Sequence, residues 1–105
     1  MTINSRAKGK NGELELVDEL KQRGFYSARR GQQYSGGAGS ADVVSSLPGI
    51  HLECKRVEKG SLHEWLAQAV RDAGGAAIPV VAHRRNRGEW VAVLRLADLV
   101  KILAR

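Results

Sequence analysis

Asp42, Glu53 and Lys55 are the residues whose types and spacing could do chemistry together. They stand in the stretch Ser40-Ala41-Asp42-Val43-Val44-Ser45-Ser46-Leu47-Pro48-Gly49-Ile50-His51-Leu52-Glu53-Cys54-Lys55-Arg56, which has the pattern of a β-hairpin. Val43-Val44 begins an apolar run, Leu47-Pro48-Gly49 supplies turn chemistry, and residues 50–55 alternate strictly. Ile50, Leu52 and Cys54 therefore share one face of the strand, and His51, Glu53 and Lys55 the other. A turn at Leu47–Gly49 brings Asp42 opposite or diagonal to Glu53, close enough to share a ligand. Two readings of this patch stand side by side. The carboxylates and the lysine can form a solvated salt-bridge face, which is the usual meaning of such charges. They can also form a divalent-metal site, with hard oxygen ligands from Asp42 and Glu53 and with Lys55 beside the activated water.

A third carboxylate comes from the element before the hairpin. A helix is expected from about residue 10 to residue 23, with Leu16, Val17 and Leu20 as its apolar stripe and Gly24 as its C-cap. Glu13 precedes Leu16, Val17 and Leu20 at helical spacing, so it projects from the buried stripe. Glu15 falls off that stripe and is expected in solvent. An inward carboxylate is unfavourable unless it is paired or metal-bound. A plain alternative is an acid near the helix N-terminus, favoured by the macrodipole.

Other elements must hold these groups in place. Residues 25–30 read as a short first strand, and the Gly-, Ser- and Gln-rich segment 31–40 as a loop. Such a loop is either a plain connector or a binding element, and its position just before Asp42 favours contact with nucleic-acid phosphates through backbone amides, serine hydroxyls and Arg30. Ser61 with Glu64 forms a capping box for a second helix that runs to about Ala73 and stops at Gly74-Gly75. Its apolar face is Leu62, Trp65, Leu66 and Ala69, with Trp65 expected in the core. Gln68 beside that face is either a surface glutamine or part of an active-site rim. Residues 77–83 follow as a buried strand, where Pro79 points to an edge or an early position. After the arginine-rich turn 84–88, residues 89–95 return as a strand, and residues 96–104 form a helix with Leu99, Val100 and Leu103 apolar. The order is helix, three strands, helix, two strands, helix: a mixed five-stranded α/β sheet flanked by helices.

Composition narrows the class. A chain of 105 residues suits one domain, residues 1–105, with a real core and most charges near the surface. It contains no apolar run approaching a membrane span and no signal-peptide pattern, so no membrane partner is expected. The single Cys54 lies on an apolar strand face and reads as a buried thiol, which fits a reducing, cytoplasmic compartment. Seventeen Lys and Arg against eleven Asp and Glu leave +6, a bias towards polyanionic partners. His51, His63 and His83 are not spaced as a zinc site, and a peripheral role for His51 beside Glu53 is open but unneeded.

Glu13, Asp42 and Glu53-Cys54-Lys55 together resemble the PD-(D/E)xK nuclease superfamily: an acid, a variable gap, then acid-x-Lys on adjacent strands. The match looks closer still to archaeal-type Holliday-junction resolvases and their phage or prophage relatives. Those share an Arg-x-x-Gly-x-x-x-Glu helix start (Arg6-Ala7-Lys8-Gly9-Lys10-Asn11-Gly12-Glu13 here), a Gly-Phe closing the helix (Gly24-Phe25), then an arginine and a Ser-Gly loop (Arg30, Ser35-Gly36). The Pro-Val-Val-Ala strand and the Trp-bearing strand also have counterparts, so the resemblance spans nearly the whole chain. Ala41 replaces the proline of the superfamily name, and the loop is longer than in compact archaeal members.

That resemblance implies a restriction-endonuclease-like fold and a bacterial or phage-infected cell. It implies Mg²⁺ (with Mn²⁺ as substitute) on Asp42, Glu53 and the main-chain carbonyl of Cys54, with no small-molecule cofactor. Glu13 would complete the site through water or a second ion, and Lys55 would polarise the attacking water. Arg6, Lys8, Arg30, Arg56 and either Ser35 or Ser40 would contact DNA. The implied activity is paired hydrolysis of four-way junctions by a homodimer. A related nickase acting on forks, flaps or duplex would share every one of these residues, and a non-catalytic DNA-binding module is the reading from outside the enzymes.

Overall fold

A computed structural model describes residues 5–31, 42–45 and 47–105, with side chains in the first helix described from Gly9 onward. Along the chain come α1 (Ser5–Gln22), β1 (Arg29–Arg30), β2 (Val43–Val44), β3 (Ile50–Arg56), α2 (Leu62–Ala73), β4 (Ile78–Arg84), β5 (Val91–Val93) and α3 (Leu96–Leu103). The five strands make one sheet in the order β1-β2-β3-β4-β5. Only β3 and β4 pair in parallel, so the sheet is mixed. The parallel pair is joined by α2, because parallel neighbours need a crossover rather than a hairpin.

The alternation along β3 sorts the two faces. On the α1 side, Leu52 packs with Leu16, Val17, Ala28, Val43, Val80 and Ala82, and Cys54 lies against this cluster. The in-register partners of His51, Glu53 and Lys55 are Pro79, Val81 and His83, which continue the opposite face. There α2 covers the sheet: Ala69 is fully buried, and the Trp65 ring lies 4.8 Å from that of His83. Burial on both faces makes β3 and β4 the rigid centre of the sheet.

Helix boundaries follow local chemistry. Ser61 caps α2 by accepting a hydrogen bond from the Glu64 amide, and Gly74 ends it at φ +63°, a left-handed conformation open to glycine. In α1, Gly12 allows close approach: a Cβ there would stand 2.6 Å from the Arg56 Cβ on β3. Gly9 has nothing within 4 Å of the same position. The two glycines should therefore respond oppositely to alanine. Helix propensity favours alanine by about 1 kcal/mol, and overpacking costs about 1–3 kcal/mol. Gly9→Ala is expected to raise Tm slightly. Gly12→Ala is expected to lower it, because α1 must lift off β3 and carry Glu13 with it. Thermal unfolding of the two variants checks this.

Several expectations are corrected. Only Arg29–Arg30 of the first strand is extended, and residues 25–28 are turn, where the Ala28 amide donates to the Phe25 carbonyl. The last strand is confined to Val91–Val93, and α1 begins at Ser5 rather than near residue 10. Pro79 sits early in β4, which is an interior strand, and the β5 ladder starts beyond it at Val81. Trp65 is half-buried against His83 rather than part of the main cluster, and Leu62 on the same helix is exposed. No helix among the described residues is long and apolar enough to cross a membrane.

Candidate active site

The pairing of Val43 with Leu52, extended by one residue, sets Asp42 across from Glu53. Asp42 is fixed there twice: its amide donates to the Leu52 carbonyl (3.1 Å), and its Oδ2 accepts from the Cys54 amide (2.9 Å). Asp42 and Asp72 both act on the Glu53 carboxyl group, and a carboxylate oxygen of Asp72 lies within 4.8 Å of one of Glu53's. His51 Nε2 stands 2.8 Å from Glu53 Oε1, and both side chains are buried. Asp72 comes from the last turn of α2 and is half-buried. Glu53 is thus the hub, with Asp42 on the β2 side, His51 beneath α2 and Asp72 reaching in from α2 itself.

Glu13 enters from α1. It is 9% exposed, and its Oε1 accepts from Arg30 Nε at 2.9 Å, which ties α1 to β1. Burial raises its pKa, the Arg30 hydrogen bond lowers it, and the charge of Asp42 raises it again. Sensitivity to Asp42 puts Glu13 in the same field as the strand acids. Lys55, half-buried and paired in register with His83, adds positive charge that is felt at Cys54. The Cys54 thiol itself is pushed up to about 12, first by burial and then by Asp42, Glu13 and Glu15. It is a structural thiol, not a nucleophile.

Two arginines expected at DNA are engaged within the protein. Arg30 bonds Glu13, and Arg56 Nε donates to Glu15 Oε1 at 3.0 Å. Glu15 also accepts from Arg84 Nη1 at 2.9 Å, so the expectation of a solvated Glu15 is corrected: it bridges β3 and β4 to α1. Gln68 is exposed on α2, while Ser35, Ser40 and the side chains of Arg6 and Lys8 lie outside the described residues. His83 Nε2 lies 2.9 Å from the Val57 carbonyl and so must carry the donated proton. The sequence carries no signal that singles out Asp72, and it leaves a peripheral role for His51 beside Glu53 open but unneeded.

The donor set can be tested against a divalent cation on the acids alone. Burial pushes the Glu53 pKa up to about 9, with Asp42 and then Asp72 adding to the rise. So many close carboxyl groups hold a proton unless another positive charge replaces it. Hard oxygens from Asp42 and Glu53, with Asp72 and Glu13 nearby, fit such a cation. The metal-free protein should then show a characteristic pH dependence. A raised carboxyl pKa means that the folded state binds more protons than the unfolded one between the usual carboxylate range and about pH 9. Tm should therefore fall as pH rises through that window. Added Mg²⁺ or Mn²⁺ should displace the proton and raise Tm more at pH 9 than at pH 5. Scanning calorimetry across that range, with and without the cation, measures both effects.

A five-stranded mixed sheet with three helices and acids converging on its central strands defines a restriction-endonuclease-like α/β fold of the PD-(D/E)xK nucleases. Residues 4–105 match the family described as phage putative PDDEXK endonuclease, and the chain belongs to that family. No curated protein and no solved structure matches the chain at a significant level. Nucleases of this superfamily typically depend on a divalent metal.

Proposed function

We propose that the protein is a divalent-metal-dependent DNA endonuclease that cuts four-way junctions as a homodimer, with Glu13, Asp42, Glu53 and Lys55 as its catalytic residues. The convergence of Asp42 and Glu53 across adjacent strands, with Glu13 arriving from α1, is the observation that carries the reading. Asp42, Glu53 and the Cys54 carbonyl would hold Mg²⁺ or Mn²⁺. When bound, the cation would lower the pKa of an attacking water and offset charge developing on the phosphoryl oxygens. Lys55 holds a positive charge on the Glu53 face and would orient that water for in-line attack. The Asp42 carboxylate is kept in place by the Cys54 amide, so its direction is set before DNA arrives. Arg30 restrains Glu13 and, half-exposed, can turn its remaining guanidinium edge to a phosphate.

Preference for junctions rests on the Arg6-to-Glu13 helix start, the Gly24-Phe25 close and the Ser35-Gly36 loop described above. A net charge of +6 favours any DNA and does not choose among shapes. Two symmetric nicks call for a C2 dimer. The surface that suits one is the outer face of α3, where Leu96 and Leu103 are each 74% exposed and Val100 is exposed beside them.

Cleavage of an immobile four-way junction, compared with a matched linear duplex at low salt, tests the reading. Paired symmetric nicks in the junction alone, and only with metal, are expected. Equal cutting of the duplex would reassign the protein to a general nickase or endonuclease with the same site. Tight, salt-sensitive binding without product would make it a DNA-binding module.

A further inference from the structure

On the α2 side of Glu53 the protein carries donors that an acid-x-Lys motif does not require. His51 Nε2 and carboxylate oxygens of Glu53 and Asp72 all lie within 4.8 Å of one another. An octahedral ion with ligands at about 2.1 Å sets neighbouring donors about 3 Å apart and opposite donors about 4.2 Å apart. His51 Nε2 and Glu53 Oε1 hydrogen-bond at 2.8 Å, so an ion entering between them would replace that bond, and side-chain rotation would bring the third donor within ligand spacing. We propose that His51, Glu53 and Asp72 form a second cation subsite, sharing Glu53 with Asp42, whose imidazole donor selects Mn²⁺ over Mg²⁺.

Three placements support it. His51 is 5% exposed on an interior strand, two residues before Glu53 on the same face, so its ring is held against the acids. Asp72 lies in the last turn of α2, where the helix dipole disfavours negative charge, and one of its carboxylate oxygens stands within 4.8 Å of the His51 and Glu53 donors. An acid in that position gains nothing for the helix, and a cation between Asp72 and Glu53 removes that penalty. The donor set also differs from the all-oxygen site proposed on Asp42, Glu53 and the Cys54 carbonyl. Imidazole binds first-row transition ions better than Mg²⁺ or Ca²⁺, while the two carboxylates keep the site suited to Mn²⁺, the hardest of that row.

The inference rests on the metal-dependent reading of Asp42 and Glu53 but has its own readout. Mn²⁺ bound to the full-length protein, without DNA, is examined by pulsed electron-spin-echo spectroscopy. Modulation from a directly bound ¹⁴N nucleus is expected in the wild type and should vanish in His51→Gln. Mn²⁺ affinity, measured by calorimetry, should fall at least about tenfold in His51→Gln and in Asp72→Asn, since removing even a ligand's outer partner costs that much. Mg²⁺ affinity should change little in His51→Gln. The wild-type spectrum needs no variant, so a misfolded mutant does not obscure the result. Mn²⁺ bound with no nitrogen signal overturns the subsite and leaves the Asp42–Glu53 site standing. Failure to bind Mn²⁺ at all removes both.

Discussion

Glu53→Gln is expected to reduce metal-dependent DNA cleavage by about 10³-fold or more, at or beyond the loss seen when one preorganised electrostatic partner is removed from an active site. Glu53 lies at the centre of the strand acids: Asp42 and Asp72 both act on its carboxyl group, and His51 stands 2.8 Å from it. Glutamine keeps the shape and an acceptor for His51 but cannot supply the second charge that a divalent ion needs. The fold should survive, because the metal-free protein already holds a proton on Glu53 near neutral pH and glutamine resembles that neutral form. The variant should therefore unfold at the wild-type temperature near pH 7 and above it near pH 9, where wild-type Glu53 ionises among like charges. Loss of cleavage together with a gain in alkaline stability separates a catalytic role from a structural one. Single-turnover cleavage and thermal scans on one preparation measure both.

Asp42→Asn should be nearly as damaging to cleavage, for a related reason. The side chain accepts from the Cys54 amide, and an asparagine carbonyl can keep that bond while losing the charge. Asp42→Ala leaves the Cys54 amide without its acceptor, which costs about 1–3 kcal/mol if the group stays dry. The pair should thus share a loss of activity and differ in stability, with Asn above Ala. Asp42 is also one of the groups that raise Glu53, so the fall in Tm with rising pH should be shallower in Asp42→Asn than in wild type. An unchanged slope would mean that the two carboxyl groups are not coupled.

Much of the arrangement was legible because β3 alternates cleanly. Its period of two fixed which of residues 50–55 share a face, and the short turn fixed the register that sets Asp42 across from Glu53. Glu13 was legible from helical spacing for the same reason. Asp72 was not, because its relevance depends on how α2 crosses the sheet, and nothing in the period of a helix states which strand its last turn overlies. His51 shared a legible face with Glu53, but the sequence offered no sign that α2 would bury both. The ion pairs of Arg30 and Arg56 with Glu13 and Glu15 from α1 were not legible, because those partners are distant in sequence. Boundaries at β1 and β5 erred because apolar and β-branched residues extend past the few that pair in the ladder.

The most direct test is single-turnover cleavage of a labelled four-way junction by the full-length wild type, first in EDTA and then after Mg²⁺ or Mn²⁺ is restored in excess. A carboxylate-held metal centre requires no product in EDTA and full recovery of cutting when the ion returns. Cutting at the same rate in EDTA, or none with any divalent ion on any DNA, would contradict it.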